Sequence, residues 1–279
     1  MIVVGVDGSR AGLEAAGWAA GEAAMRRAPL RVVHALPEWA CKESTGRYAE
    51  VGRWMREGGM TVLASAESRA RREQPEVTVE TALLPGDPRA ALIEASRDAE
   101  LVVIGDHGLG GVRGMLVGSV AYGVAGHAES DVVLVREVPA TPRGEVVAGV
   151  DGAPTTARVL DFAFREAELR GLALRAVHAW SLPQAAGFLS PADGGERDEV
   201  LLLKERLAAH RERHPGVEVI EEVVHGHPVA VLRQAAAGAA LLVVGSHGYG
   251  TLKGMVLGSV SQAMVHHAPC PLAVVRRER

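Results

Sequence analysis

Two stretches of this chain carry residues spaced for anion chemistry. Residues 105–119 read GDHGLGGVRGMLVGS and residues 245–259 read GSHGYGTLKGMVLGS. Each fits G-x-x-G, nine residues, then G-S, and each follows a short apolar run, LVVI before Gly105 and LLVV before Gly245. A strand, a glycine loop and a helix start together present backbone N–H groups to phosphate. Glycines such as Gly108, Gly118, Gly248 and Gly258 suit the task because a side chain would hold phosphate oxygens away from the amides. The hydroxyl of Ser119 or Ser259 would either cap the following helix or bond a phosphate oxygen. Arg113 and Lys253 hold the same place in the two loops and would add positive charge near phosphate.

An aspartate accompanies each loop: Asp7 in VVGVDGS (3–9) and Asp151 in VAGVDGA (147–153). An ionised carboxylate only accepts hydrogen bonds, so it suits ribose or base donors, or a divalent cation, rather than phosphate. The plainer alternative is a cap on the next helix. His107 and His247 lie inside the loops, where an imidazole could serve as acid or base near neutral pH or simply bond the backbone. His34 and His178 lie on the second strand of each half and read as core or site-edge residues. His225 with His227, and His266 with His267, resemble metal pairs, but no third ligand is placed, so no metal site and no catalytic residue is assigned. The pattern G-x-x-x-x-G-K-[ST] does not occur. The runs from Gly108 and Gly248 lack the third glycine of a dinucleotide fingerprint, which should in any case follow the first strand.

The elements that must position these residues occur twice. VVHAL (32–36) matches AVHAW (176–180), and LLPGDPRAAL (83–92) matches VVHGHPVAVL (223–232). Early blocks are offset by 144 residues and later ones by 140, so the second copy has lost four residues. The loss falls in a surface loop around QAAGFLSPADGG (184–195). Within the first copy, strand patterns at 2–7, 30–36, 77–84, 100–105 and 131–136 alternate with helical patterns at 10–27, 48–74, 88–98 and 115–128. The second copy repeats the order, with a charged helix over 196–213. Such alternation predicts an α/β fold, a parallel sheet covered by helices on both faces. REVPATPRGE (136–145) reads as the linker.

Composition bounds the function. A chain of 279 residues accommodates two domains, each with its own core. Net charge is −4 and pI about 6.3, without the basic excess of a nucleic-acid or anionic-membrane binder. Aromatic residues at 4% argue against a site built on base stacking. Two cysteines at non-equivalent places, Cys41 and Cys270, do not make a disulfide framework and favour a reducing cytosol. MIVVGVDGS lacks a basic leader, and no apolar run approaches the roughly 18 residues of a membrane span. A cytoplasmic protein is expected.

In these paired motifs the chain resembles a tandem universal stress protein. The nucleotide-binding members of that family carry G-x-x-G-x9-G-[ST] after the fourth strand and an Asp after the first; both occur here twice. The resemblance implies two Rossmann-like domains, at 1–138 and 145–279, each with five parallel strands in the order 3-2-1-4-5. It implies ATP as ligand, with Mg²⁺ as a candidate companion. Asp7 and Asp151 would contact the nucleoside, and backbone groups of Ala35 and Ala179 would hold adenine. Gly105, Gly108, Gly118 and Ser119 would bind ribose and phosphates, as would Gly245, Gly248, Gly258 and Ser259. Strands 131–136 and 272–276 would join the halves as a pseudo-dimer, and a homodimer of the tandem chain is a further expectation.

The copies differ at two places: Asp106 faces Ser246 in the alignment, and Ser9 faces Ala153. Both predict unequal sites, but neither orders them. The leading expectation is a regulatory, ATP-binding stress-response protein. A slow ATP hydrolase and a nucleotide-free interaction scaffold are the alternatives.

Overall fold

The computed structural model describes residues 1–42, 48–108, 117–136, 143–153, 155–181, 194–248 and 256–276. The chain divides into two compact units, Met1–Arg136 and Glu137–Arg279. The first runs β1 (Ile2–Gly5), α1 (Arg10–Arg26), β2 (Leu30–Leu36), α2 (Glu38–Cys41), α3 (Ala49–Glu73), β3 (Val79–Pro85), α4 (Pro88–Ala95), β4 (Leu101–Gly105), α5 (Ser119–His127) and β5 (Asp131–Val135). The second runs β6 (Arg143–Val150), α6 (Thr156–Arg170), β7 (Ala173–Trp180), α7 (Gly194–Arg213), β8 (Val219–His225), α8 (Pro228–Ala235), β9 (Ala239–Gly245), α9 (Ser259–His267) and β10 (Leu272–Val275).

In the first unit the strands lie in the order β3-β2-β1-β4-β5, and every neighbouring pair is parallel. The second unit repeats this as β8-β7-β6-β9-β10. From β1 the chain winds outward to β3, then crosses back over β1 to β4 and β5. Parallel crossovers are right-handed, so this reversal sends the helices before and after it to opposite faces. Accordingly α1 packs with α3, and α4 with α5; in the second unit α6 packs with α7, and α8 with α9. Ile2, Val3, Val4, Leu101, Val102 and Val103 have no exposed surface, as strands covered on both faces require. The carboxyl ends of β1 and β4, where the winding changes direction, form the switch point at which such sheets bind ligands.

Local chemistry sets the element ends. Ser9 Oγ accepts from the Gly12 amide at 3.1 Å and so caps α1. Asp87 Oδ1 does the same for α4, accepting from Arg89 N and Ala90 N at 3.0 and 3.1 Å. At their other ends α1 and α6 close in the same way, on Arg27 (φ 53°) and Gly171 (φ 62°). The helix expected from residue 115 begins at Ser119, because Gly118 is extended (φ −60°, ψ 146°). The glycines ending QAAGFLSPADGG belong to α7 rather than to a loop, and 184–193 lie outside the described residues. The short helix α2 has no periodic pattern long enough to predict it. No helix of the described residues is long and apolar enough to cross a membrane.

Candidate functional site

The switch point of each unit gathers an aspartate and two glycines. In the first unit Gly8 turns the chain out of β1 with φ 85°, and Asp7 Oδ1 accepts from the Ser9 amide at 3.0 Å. The other oxygen, Oδ2, sits against Gly108 so closely that a Cβ there would collide with it. The Gly118 amide donates to Asp106 O at 2.8 Å, which folds the start of α5 back onto the end of β4. A Cβ on Gly118 would lie 3.8 Å from the Gly108 nitrogen. Asp7, Gly108 and Gly118 therefore converge, although 111 residues of chain separate the first from the last.

The second unit builds the same arrangement. Asp151 Oδ2 lies 2.6 Å from where a Cβ on Gly248 would stand, and a Cβ on Gly258 would lie 3.3 Å from the Gly248 nitrogen. The Gly258 amide donates to Ser246 O at 2.8 Å. Asp151, Gly248 and Gly258 line a cavity of about 280 Å³, together with Ala179, Thr155 and Ser259. Its apolar side includes Val177, Pro228 and Leu232. Ala35, on β2, stands two residues past Val33, the partner of Gly5; Ala179 stands two residues past Val177, the partner of Gly149. Gly105 and Gly245 end β4 and β9. Arg113 and Lys253 lie outside the described residues.

The two serines are not side-chain caps. Gly118 and Gly258 hold the N-cap positions of α5 and α9, so Ser119 and Ser259 are first helical residues with exposed side chains. The first turns of both helices carry no acidic residue. Their opening amides and the positive end of the helix dipole thus face the site without a competing carboxylate. Asp7 and Asp151 each accept on one oxygen from a backbone amide just after them (Ser9 N, Ala153 N), but neither caps a helix, because the N-cap residues of α1 and α6 are Ser9 and Thr155.

His34 and His178 brace the site from the strand beside it. His34 Nδ1 bonds Val6 O at 2.7 Å and His178 Nδ1 bonds Val150 O at 2.9 Å, each on the residue just before the aspartate. A carbonyl only accepts, so Nδ1 carries the proton in both. His107 Nδ1 lies 2.5 Å from Asp106 Oδ1, and Arg136 Nε lies 3.8 Å from Oδ2. Asp106 thus turns from the loop into a buried corner, where desolvation raises its pKa against the opposing pull of Arg136 and His107. In the second unit Ser246 is also buried, and its hydroxyl meets His247 Nδ1 at 3.2 Å.

Inspection of motifs alone passes over three hydroxyls. Thr155 Oγ1 donates to His247 O at 2.9 Å, Thr156 Oγ1 donates to Asp151 Oδ1 at 2.8 Å, and Ser261 Oγ donates to Gly245 O. The aligned residues of the first copy are Ala11, Gly12 and Ala121, so a comparison of copies for gained hydroxyls would have found all three.

Residues 1–136 and 143–276 each match the universal stress protein family. The chain is 37% identical to universal stress protein Rv2005c of Mycobacterium tuberculosis over 99% of its own length and 97% of that protein's. It is 36% identical to universal stress protein Rv2623 of the same organism, over 99% and 96%. A universal stress protein crystal structure from Archaeoglobus fulgidus superposes with a TM-score of 0.73 at 20% identity, covering 99% of this chain and 98% of that one, and so has the same fold. Full-length identity above one third and two matches to one family, on a sheet repeated twice, establish that this chain belongs to the universal stress protein family, as a tandem member.

Proposed function

We propose that each unit binds an adenine nucleotide, ATP with Mg²⁺, at its switch point, and that the protein is a cytoplasmic regulator of the stress response. The observation that carries this reading is the cradle of Asp151, Gly248 and Gly258 at the wall of a 280 Å³ cavity. The cradle suits a nucleotide from both ends. A Cβ on Gly248 would meet the Asp151 carboxylate, and one on Gly258 would crowd the Gly248 amide, so the absence of side chains keeps the amides approachable. The carboxylate suits ribose hydroxyls, the α9 N-terminus suits phosphate, and Val177, Ala179 and Leu232 suit the face of a base.

Calorimetric titration of the full chain with ATP, with and without Mg²⁺, tests the proposal. Two nucleotides should bind per chain. Gly118→Phe and Gly258→Phe should each remove one. An absence of heat and of thermal shift with every adenine nucleotide would end it.

A further inference from the structure

The same two threonines tie together the parts of the second site, and the first site has neither. Thr155 is the N-cap residue of α6 and lines the cavity. Its hydroxyl reaches across 92 residues of sequence to the His247 carbonyl. That carbonyl and the Gly248 N–H belong to one trans peptide and point in opposite directions. Holding the oxygen toward α6 therefore turns the Gly248 amide toward Gly258 and the start of α9. Thr156 meanwhile holds Asp151 Oδ1 at 2.8 Å, with the Ala153 amide at 3.1 Å on the same oxygen.

The first unit is built differently at the aligned positions. Helix α1 starts at Arg10, two aligned positions earlier than α6, and Ser9 Oγ accepts from the Gly12 amide of its own helix. The advanced helix start presses on the strand end: a Cβ on Gly105 would lie 2.8–2.9 Å from Ala11 backbone and side-chain atoms. The nearest neighbours of a Cβ on Gly245 stand off at 3.2–3.5 Å, and one of them is Thr155 Oγ1.

From these differences we infer that Thr155 is a positioning residue for the glycine loop of the second unit, and that the second site therefore binds nucleotide more tightly than the first. The inference rests on the nucleotide reading above and orders the two sites that reading leaves unordered. Thr155 fixes the His247–Gly248 peptide beforehand through a hydroxyl that the aligned Ala11 of the first unit cannot supply, and an ordering cost already met appears as affinity.

The test uses the full chain with one site closed, titrated with ATP and Mg²⁺. The Gly118→Phe protein reports the second site and the Gly258→Phe protein the first. The second should bind more tightly. Placing Thr155→Val in the Gly118→Phe chain should weaken binding about fivefold to tenfold, the worth of one net hydrogen bond. Thr155→Ser, which keeps the hydroxyl, should retain affinity. Equal affinities of the two sites, or a Thr155→Ser protein as weak as Thr155→Val, would overturn the inference. So would Thr155→Val binding unchanged. Where Thr155→Val also lowers the melting temperature, the serine variant decides. If the wild-type chain binds no adenine nucleotide at all, the reading of the site falls, which the wild-type titration shows separately from any threonine variant.

Discussion

Asp151 and Gly248 are matched so closely that neither tolerates change in the other: Oδ2 of the aspartate lies 2.6 Å from the place a glycine Cβ would take. The carboxylate has no easy retreat, because Oδ1 is held by Thr156 and the Ala153 amide. Gly248→Ala should therefore displace the carboxylate, lower the stability of the second unit by about 1–3 kcal/mol and abolish its nucleotide binding. Thermal melts and a titration stoichiometry reduced by one would show it.

Asp106 makes the first unit sensitive to pH. Burial raises its pKa, so the folded chain holds the proton more firmly than the unfolded one. Its contribution to stability is complete below the unfolded value and is lost as pH rises through the raised folded value. At neutral pH the buried carboxylate is thus a liability that Ser246 spares the second unit. Asp106→Ser should raise the stability of the first unit at pH 7 by about 1 kcal/mol, a few degrees in Tm, and the gain should shrink on acidification. Melting curves of both proteins from pH 4 to 8 check the sign.

Arg27 holds a backbone conformation that its counterpart Gly171 holds without strain. Both cap their helix with φ near 60°, and both donate their amide to carbonyls of the last turn. A residue with a Cβ in this region costs about 1 kcal/mol. Arg27→Gly should stabilise the first unit by up to that amount, and Gly171→Ala should destabilise the second comparably. Urea denaturation should register each as a shifted midpoint with an unchanged slope.

Arg175 joins three strands of the second unit. It grips both oxygens of Glu145 at 2.7 and 2.8 Å and reaches Glu222 at 3.0 Å. The Arg175 hydrogen bond holds the Glu145 pKa below the usual carboxylate range. Stability from this pair is present above the unfolded glutamate value, roughly 4.3, and is lost as pH falls through the lowered folded value. The groups are partly exposed, so Arg175→Met should cost only about 1 kcal/mol at pH 7 and almost nothing at pH 3. Chemical denaturation at the two pH values measures the difference.

Much of the fold is written locally. LVVI before Gly105 and LLVV before Gly245 are apolar because strands covered on both faces have no polar side, and Asp87 followed by Pro88 marks a helix start by itself. The lengths that sequence misjudged lie at ends governed by backbone conformation. Gly118 is extended rather than helical, and no side chain there announces it.

By itself the sequence determined the duplication, the alternation of strand and helix, and the residues brought to each switch point, because repeats, periodicity and glycine spacing are local or copy-to-copy properties. Only the tertiary structure decided how those residues serve one another. It placed the Asp7 carboxylate over Gly108, turned Asp106 into a buried corner with Arg136, and gave Thr155 the His247 carbonyl 92 residues away. Those relations depend on where a helix starts to within two residues and on which way one peptide faces. Such choices come from packing across the sheet, and no pattern within either segment encodes them.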